Sequence, residues 1–205
     1  MKTAAKLDLA KLHKADYVAP KQPVLLTLKP AHYLAISGQG SPGGDDFSAR
    51  IGALYAMAFT VKMTRKFAGQ QDYTIGKLEA QWFFGGDPAS LPKDQWRWKL
   101  LIRTPDFIKS ADLKQAVATL LKRGKPPEVK EVKLERIAEG RCVQMLHVGP
   151  YERESETIAK MKAFAESNGL RLAGPHHEIY ISDPRRVPPE WLKTILREPV
   201  APSAS

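Results

Sequence analysis

The chain has 205 residues, of which 43% are hydrophobic and 26% are charged, as in ordinary globular proteins. This length suits one large domain or two small halves that share a core. No stretch approaches the roughly 18 apolar residues that a membrane span needs, and we expect neither a secretion signal nor a membrane partner. Cys142 is the only cysteine, which excludes an intrachain disulfide and favours a cytoplasmic location.

The net charge of +10 raises the possibility of nucleic-acid binding, since basic surfaces attract phosphate. The lysines and arginines are dispersed along the chain, however, and no recognition-helix motif or zinc-ligand spacing accompanies them. We therefore expect a solvated basic surface, and nucleic-acid binding is the weaker alternative. The sequence leaves the oligomeric state open.

The first half of the chain predicts a lead-in, a strand, a helix, two strands and a connecting helix. These elements are placed at residues 1–30, 32–37, from 45 onward, 73–84, 96–103 and 110–122. Asp45 or Asp46 would cap the first helix, and Ser110 would cap the second. Pro126-Pro127 prevents continuation of the connecting helix and predicts the boundary between two halves.

The second half repeats this order about 110 residues later. Its predicted elements are strands near 130–138 and 141–148, a helix at about 151–168, and strands near 177–183 and 193–199. Duplicated strand–helix–strand–strand modules predict an α+β fold with antiparallel sheets and a ligand cleft between the halves. We assign 1–205 to a single domain, with 1–30 as lead-in, 31–125 as the first module with its connecting helix, and 126–200 as the second.

The strand near 177–183 carries the most suggestive residues. Side chains alternate across a strand, so Ile179 and Ile181 share one face while Glu178 and Tyr180 share the other. The isoleucines suit a face packed under a helix, which would direct Glu178 and Tyr180 towards the cleft. A carboxylate beside aromatic rings in a partly dry pocket can attract a cation or transfer a proton. The alternative is a solvent-exposed glutamate and a structural tyrosine.

Aromatic residues cluster in the strands of the first module. Trp82 and Phe84 end one strand, while Trp96 and Trp98 share a face of the next. Aromatic rings on strands usually form core or cross-strand packing. Four tryptophans in the chain nevertheless favour an aromatic surface suited to flat ligands.

Other kinds of site have little support. His176, His177 and Glu178 are consecutive and cannot all face one metal from a regular strand, so we expect no metal. The glycines at 38–44 lack the Gly-Lys-Ser/Thr of a phosphate-binding loop, and we expect no cofactor. Cys142 is predicted to be a buried structural thiol.

Several segments together resemble the GyrI-like small-molecule-binding family over almost the whole chain. The segments that carry the resemblance are Gly38-Gln39-Gly40-Ser41-Pro42, Ala53-Leu54-Tyr55, Leu78-Glu79-Ala80-Gln81-Trp82-Phe83, Ile102-Arg103-Thr104-Pro105-Asp106-Phe107, His147-Val148-Gly149-Pro150-Tyr151 and Glu178-Ile179-Tyr180-Ile181-Ser182-Asp183-Pro184. The resemblance implies tandem modules around a ligand cleft, in which an acidic residue among aromatic rings meets planar or cationic drugs. Ala80-Gln81 departs from the glycine and apolar residue expected there.

Related domains occur in multidrug-responsive transcription activators, but this chain resembles the stand-alone type. The resemblance implies that some stand-alone members are hydrolases, which open the cyclopropane ring of DNA-alkylating cyclopropanoid compounds. It makes Glu178 and Tyr180 the catalytic candidates, with a small molecule as partner. The ligand-binding candidates are Glu79, Trp82, Phe84, Trp98, Tyr151, Tyr55, Met145 and His147. The alternative function is a non-catalytic protein that binds or sequesters drugs.

Overall fold

The computed structural model describes residues 6–84 and 90–203. Within these ranges its helices are α1 (Leu9–Leu12), α2 (Lys14–Tyr17), α3 (Asp45–Phe67), α4 (Ser110–Lys122) and α5 (Glu154–Ser167). Its strands are β1 (Val24–Leu28), β2 (Ala31–Gln39), β3 (Leu78–Phe83), β4 (Arg97–Thr104), β5 (Lys133–Ile137), β6 (Gly140–Val148), β7 (Leu170–Leu172), β8 (His176–Tyr180) and β9 (Lys193–Pro202). Short 3₁₀ turns lie at Lys93–Gln95, Pro127–Glu131, Tyr151–Arg153 and Pro189–Trp191.

The chain divides into two compact units, as far as its residues are described. The first comprises Met1–Leu12, Ala31–Leu78 and Trp82–Ile137, and the second comprises His13–Pro30, Glu79–Gln81 and Ala138–Ser205. The predicted order of elements occurs twice, as β2-α3-β3-β4 and as β6-α5-β8-β9 with the short β7 added. The α+β class with antiparallel sheets is therefore confirmed.

In the first unit, β2 pairs on one side with β4 and on the other with β5, both antiparallel. Alternation along β2 places Tyr33 and Ala35 in a cluster with Leu101. Helix α3 packs against β2 and β4 and contacts α4, and its buried residues include Leu54 and Met57.

In the second unit, β9 lies between β6 and β8, and β6 also pairs with β1; every pairing is antiparallel. The Glu79–Gln81 segment of β3 lies beside β8. Helix α5 covers one sheet face through a core that contains Met145, Met161 and Leu196. The opposite face is covered by the N-terminal segment, whose Ala19 packs on Ile179 and Ile195.

The bounds of α4 are those predicted, but both predicted helix caps are wrong. Gly44 is the N-cap of α3 without any side-chain cap, and Asp46 instead accepts hydrogen bonds from Arg50 at 3.0 Å. The N-cap of α4 is Lys109, whose backbone N–H donates to Asp112 at 2.8 Å. In both helices, acidic side chains of the first turn, and no N-cap side chain, interact favourably with the positive end of the helix dipole.

No helix among residues 6–84 and 90–203 is long and apolar enough to cross a membrane. Cys142 is fully buried, and burial raises the pKa of its thiol to about 12. The prediction of a buried cysteine is confirmed, and a thiol with this pKa is a poor nucleophile.

Candidate functional site

Strand β8 directs His176, Glu178 and Tyr180 to one face of the second unit's sheet. Glu178 lies opposite Leu196 on β9, and residues opposite each other in an antiparallel pair share a face. Leu196 belongs to the core beneath α5, so Glu178 faces the helix-covered side.

The predicted grouping of side chains is therefore right, but the predicted orientation is wrong. The sequence analysis assigned the isoleucine face to a helix, whereas Ile179 packs on Ala19 of the N-terminal segment. The alternation fixes which residues share a face, but it does not fix which element covers that face.

Glu178 and Tyr180 form a direct contact. The Tyr180 hydroxyl donates to Glu178 Oε2 at 2.6 Å, and the Tyr151 ring meets the Tyr180 ring edge-on, with centroids 5.9 Å apart. Glu178 is only 8% exposed, which excludes the solvent-exposed glutamate of the alternative interpretation. Burial and the nearby Glu178 charge raise the pKa of Tyr180, and they raise that of Tyr151 to about 12. Both phenols therefore remain hydrogen-bond donors at neutral pH.

Three carboxyl groups surround the His176 ring. Its Nδ1 lies 3.1 Å from Glu198 Oε1, and its Nε2 lies 3.4 Å from Glu178 Oε1 and 3.9 Å from Glu154 Oε2. All four side chains are about nine-tenths buried. We define Glu154, His176, Glu178 and Glu198 as the acidic cluster.

The acidic cluster shifts the protonation of its members. Burial by itself would lower the pKa of His176, but the surrounding carboxyl groups of Glu154, Glu178 and Glu198 raise it well above its usual value. Burial, followed by repulsion from Glu178, raises the pKa of Glu154 to about 8. An excess of buried acidic groups over basic ones is a strong attraction for a cation.

Glu154 was absent from the predicted site residues. It is the first residue of α5, which follows a 3₁₀ turn at Tyr151–Arg153. An acidic residue at a helix start usually serves only the helix dipole, so the sequence gives no local signal for this role.

Two predicted ligand-binding residues of the second unit, Met145 and His147, contact other residues of that unit. Met145 lies in the core under α5. His147 donates from Nε2 to the Pro150 carbonyl at 3.2 Å, and its Nδ1 lies 2.9 Å from the Thr157 hydroxyl. Both ring nitrogens are thereby engaged, and His147 fixes the turn before α5.

Glu79 belongs to a different group of buried charges, on the side that faces away from Glu178. It accepts a hydrogen bond from the Tyr17 hydroxyl at 2.9 Å, and its other oxygen lies 3.0 Å from His177 Nε2. His177 Nδ1 lies 2.6 Å from Glu139, which also accepts from Arg197 at 2.9 Å. We define Glu79, His177, Glu139 and Arg197 as the paired network.

Charges in the paired network stabilise one another. Burial favours the neutral forms, but His177 and Arg197 lower the pKa of Glu139 to about 2. The Glu139 and Glu79 carboxylates raise the pKa of His177 to about 9, against the effect of burial. The sequence analysis missed His177, Glu139 and Arg197 here, because they come from separated strands and loops.

The aromatic candidates Trp82, Phe84 and Trp98 lie in the first unit. Trp82 stacks on Phe47 at 5.7 Å, and Phe47 meets Trp98 edge-on at 4.9 Å. Phe84 and Trp82 both make edge contacts with Trp96. Trp82 is 3% exposed and Trp98 is 1% exposed, so much of this aromatic surface is internal packing. Phe47 in the first turn of α3 joins the cluster without having been predicted.

A shallow pocket of about 250 Å³ lies at the edge of this aromatic cluster, lined by Ser37, Gly38, Phe83, Arg97 and Trp98. Trp98 lies against Gly38, where an added Cβ would collide with the indole ring. The glycine thus allows the ring to approach the backbone of β2 closely. Tyr55 is half-buried on α3 beside Phe59, with ring centroids 6.4 Å apart.

The chain contains a GyrI-like small-molecule-binding domain. The sequence profile of the GyrI-like small molecule binding domain matches residues 107–201. An uncharacterized conserved protein from Listeria innocua is 37% identical, with a TM-score of 0.90, over 96% of this chain and 100% of that chain. Two structures of a hydrolase from Listeria innocua are 36% identical over the same shares, with TM-scores of 0.88 and 0.86. No curated protein matches the sequence significantly.

Proposed function

We propose that this protein binds planar or cationic xenobiotics in the cytoplasm at the Glu178 site, and hydrolyses strained, planar electrophiles of the cyclopropanoid DNA-alkylating class. The observation that carries the proposal is the Tyr180 hydroxyl donating to a carboxylate that is only 8% exposed. The hydrolase from Listeria innocua at 36% identity supports the hydrolytic part.

Glu178 is the candidate general base. Tyr180 holds Oε2, which leaves Oε1 as the atom that would receive a proton from water. A carboxylate positioned in this way can take a proton from a water within hydrogen-bond reach of it. Because its orientation is fixed before the substrate enters, little reorganisation is required during reaction.

The proposed reaction adds one water across the strained ring. The water oxygen forms a bond to a cyclopropane carbon while one carbon–carbon bond of the ring breaks. The electron pair of that bond passes into the conjugated carbonyl, whose oxygen becomes a phenolate, and Glu178 takes the proton from water. The phenolate then takes up one proton and Glu178 releases the one that it took, so the product is the substrate plus water. Tyr151, which is neutral, would donate a hydrogen bond to the developing oxyanion, since the single hydroxyl proton of Tyr180 is given to Glu178.

Glu178→Gln tests the base directly. Glutamine keeps the shape and still accepts from Tyr180 but cannot take a proton, so we expect retained ligand affinity and turnover reduced by ~10²–10⁴-fold. Turnover is measured by mass spectrometry of the water adduct after incubation with a cyclopropanoid alkylator. The matched control is Glu166→Gln, an exposed residue of α5. Turnover unchanged in Glu178→Gln would remove Glu178 from the mechanism.

A non-catalytic binder is the second candidate, and the surplus of acidic groups around His176 favours it. Such a protein would hold a cation without changing it. It predicts saturable binding of a planar cation and an intact cyclopropanoid compound after prolonged incubation. Formation of the water adduct would exclude this alternative.

A further inference from the structure

Glu154, His176 and Glu178 converge as potential metal ligands. Among the residues that the structure describes, these three are the group whose ligand atoms lie close enough to share an ion, all within 4.8 Å of one another. Metal–ligand bonds of about 2.1 Å place neighbouring ligands roughly 3–4 Å apart, so a small contraction would suffice. They come from α5 and β8, and both elements lie against β9: α5 packs on it through the core of the second unit, and β8 pairs with it.

The hydrogen-bond partners of these ligands, Glu198 and Tyr180, orient them as outer residues do in metal centres. His176 donates from Nδ1 to Glu198, which directs Nε2 towards Glu154 and Glu178. A metal-binding histidine almost always donates its other ring nitrogen to a carboxylate or carbonyl in this way. Tyr180 likewise orients Glu178 by donating to the oxygen that faces away from His176.

Two buried atoms of the group have no hydrogen-bond partner among the described residues, namely His176 Nε2 and Glu154 Oε1. Both side chains are 91% buried, given their 9% exposure. The carboxylate oxygens nearest to Nε2, at 3.4 and 3.9 Å, lie outside hydrogen-bond geometry. Buried polar atoms are rarely left without a partner, and such exceptions point to an ion or a water that would complete the site.

We propose that Glu154, His176 and Glu178 form a binding site for a divalent transition-metal ion, with Glu198 and Tyr180 as supporting groups. One imidazole and two carboxylates are a ligand set suited to Zn²⁺, Mn²⁺ or Fe²⁺. The positive ion would offset the surplus of buried carboxylates, which the single imidazole of the cluster does not balance. This site goes beyond the proposed hydrolysis, which uses Glu178 without a metal.

The test is metal binding by the tag-free, chelator-treated full chain, measured by equilibrium dialysis against Zn²⁺, Mn²⁺ or Mg²⁺ with elemental analysis of the bound metal. We expect one Zn²⁺ or Mn²⁺ per chain at saturation and much weaker binding of Mg²⁺, which prefers oxygen ligands and water. Bound Zn²⁺ should also raise the melting temperature, because a ligand that binds only the folded state stabilises it.

Four variants separate this site from a surface site. Glu154→Gln and His176→Gln should weaken Zn²⁺ binding by more than ~100-fold, and Glu198→Gln by ~10–100-fold, as a supporting group does. Glu166→Gln, an exposed change in the same helix, should bind like the wild type. Circular dichroism checks the fold. If His176→Gln unfolds, Glu154→Gln decides the outcome, since glutamine preserves the shape of glutamate and keeps one carbonyl oxygen.

Lack of saturable Zn²⁺ or Mn²⁺ binding by the wild type would overturn the proposal, as would equal affinity in Glu154→Gln and the wild type. These measurements use the metal alone, without a drug. The turnover assay, in turn, is performed after chelation. A negative result in one assay therefore contradicts only the proposal that this assay tests, the metal site or the hydrolysis.

Discussion

Strand β8 carries two adjacent histidines on opposite faces, and their charged surroundings differ. His177 lies in the paired network, where two acidic residues meet two basic ones. His176 lies in the acidic cluster, where three carboxyl groups meet a single imidazole. Both histidines are buried, so exposure does not distinguish them.

This difference separates the buried charges of the paired network, which stabilise the fold, from those of the acidic cluster, which could accept a ligand. In the paired network the contacts between opposite charges are 3.0 Å or shorter, and the pKa values of His177 and Glu139 move apart. In the acidic cluster the contacts at His176 Nε2 are longer, and repulsion contributes to raising the pKa of Glu154. Balanced charges stabilise one conformation, whereas an unbalanced group gains most from an incoming cation.

The largest effect on stability should come from breaking the paired network. Arg197→Met retains the apolar length of the side chain but removes the cation beside Glu139, and leaving a buried charge without its partner costs about 3–5 kcal/mol of unfolding free energy. Urea denaturation measures the change. Arg171→Met, an exposed change on β7, is the control and should stay within ~0.5 kcal/mol. Equal losses in the two variants would show that the network contributes little.

The paired network should also give stability a defined dependence on pH. The pKa of Glu139 falls from 4.5 to about 2 on folding, so its contribution is present above pH 4.5 and is lost as the pH falls towards 2. The shift corresponds to an amount on the order of 3 kcal/mol. His177 has its pKa raised to about 9, so its contribution is full below pH 6.5 and is lost as the pH rises through 9.

Unfolding free energies measured from pH 2 to 10 test both limbs. Glu139→Gln should flatten the acidic limb, because glutamine does not titrate. An acidic limb equally steep in this variant would assign the pH dependence to other carboxylates.

The smallest effect is expected from the acidic cluster. Glu154→Gln at neutral pH removes one of the surplus carboxyl groups while it keeps a similar shape, so the unfolding free energy should change by less than about 1 kcal/mol. Urea denaturation without added metal measures this change in unfolding free energy. A loss of unfolding free energy as large as that of Arg197→Met would mean that the acidic cluster stabilises the fold as much as the paired network does.

Local patterns predicted much of the fold. The proline pair after α4 predicted that this helix ends before it, and two-residue alternation grouped Glu178 with Tyr180. The helix caps were wrong because serine and aspartate are suitable both as caps and as first-turn residues. The added strands β1 and β7 are short and pair with β6 and β9, far away in sequence.

The candidate site was predicted only in part. Glu178, Tyr180 and Tyr151 converge. Strand alternation had grouped Glu178 with Tyr180, whereas Tyr151 was a candidate through the family resemblance. The partners that set the chemistry, Glu154 and Glu198, carry no such signal. A glutamate at a helix start and another in the middle of a strand look like ordinary surface residues in the sequence, because only the packing of those elements buries them.

The sequence by itself determined the α+β class, the duplicated order of elements and the pairing of Glu178 with Tyr180 on one face, because each follows from contacts within a few residues. The tertiary structure alone decided that this face meets α5, that Glu154 and Glu198 enclose His176, and that Glu79 joins His177. Those contacts depend on strand register and helix placement, and a shift of one residue in register would turn every side chain of β8 to the other face.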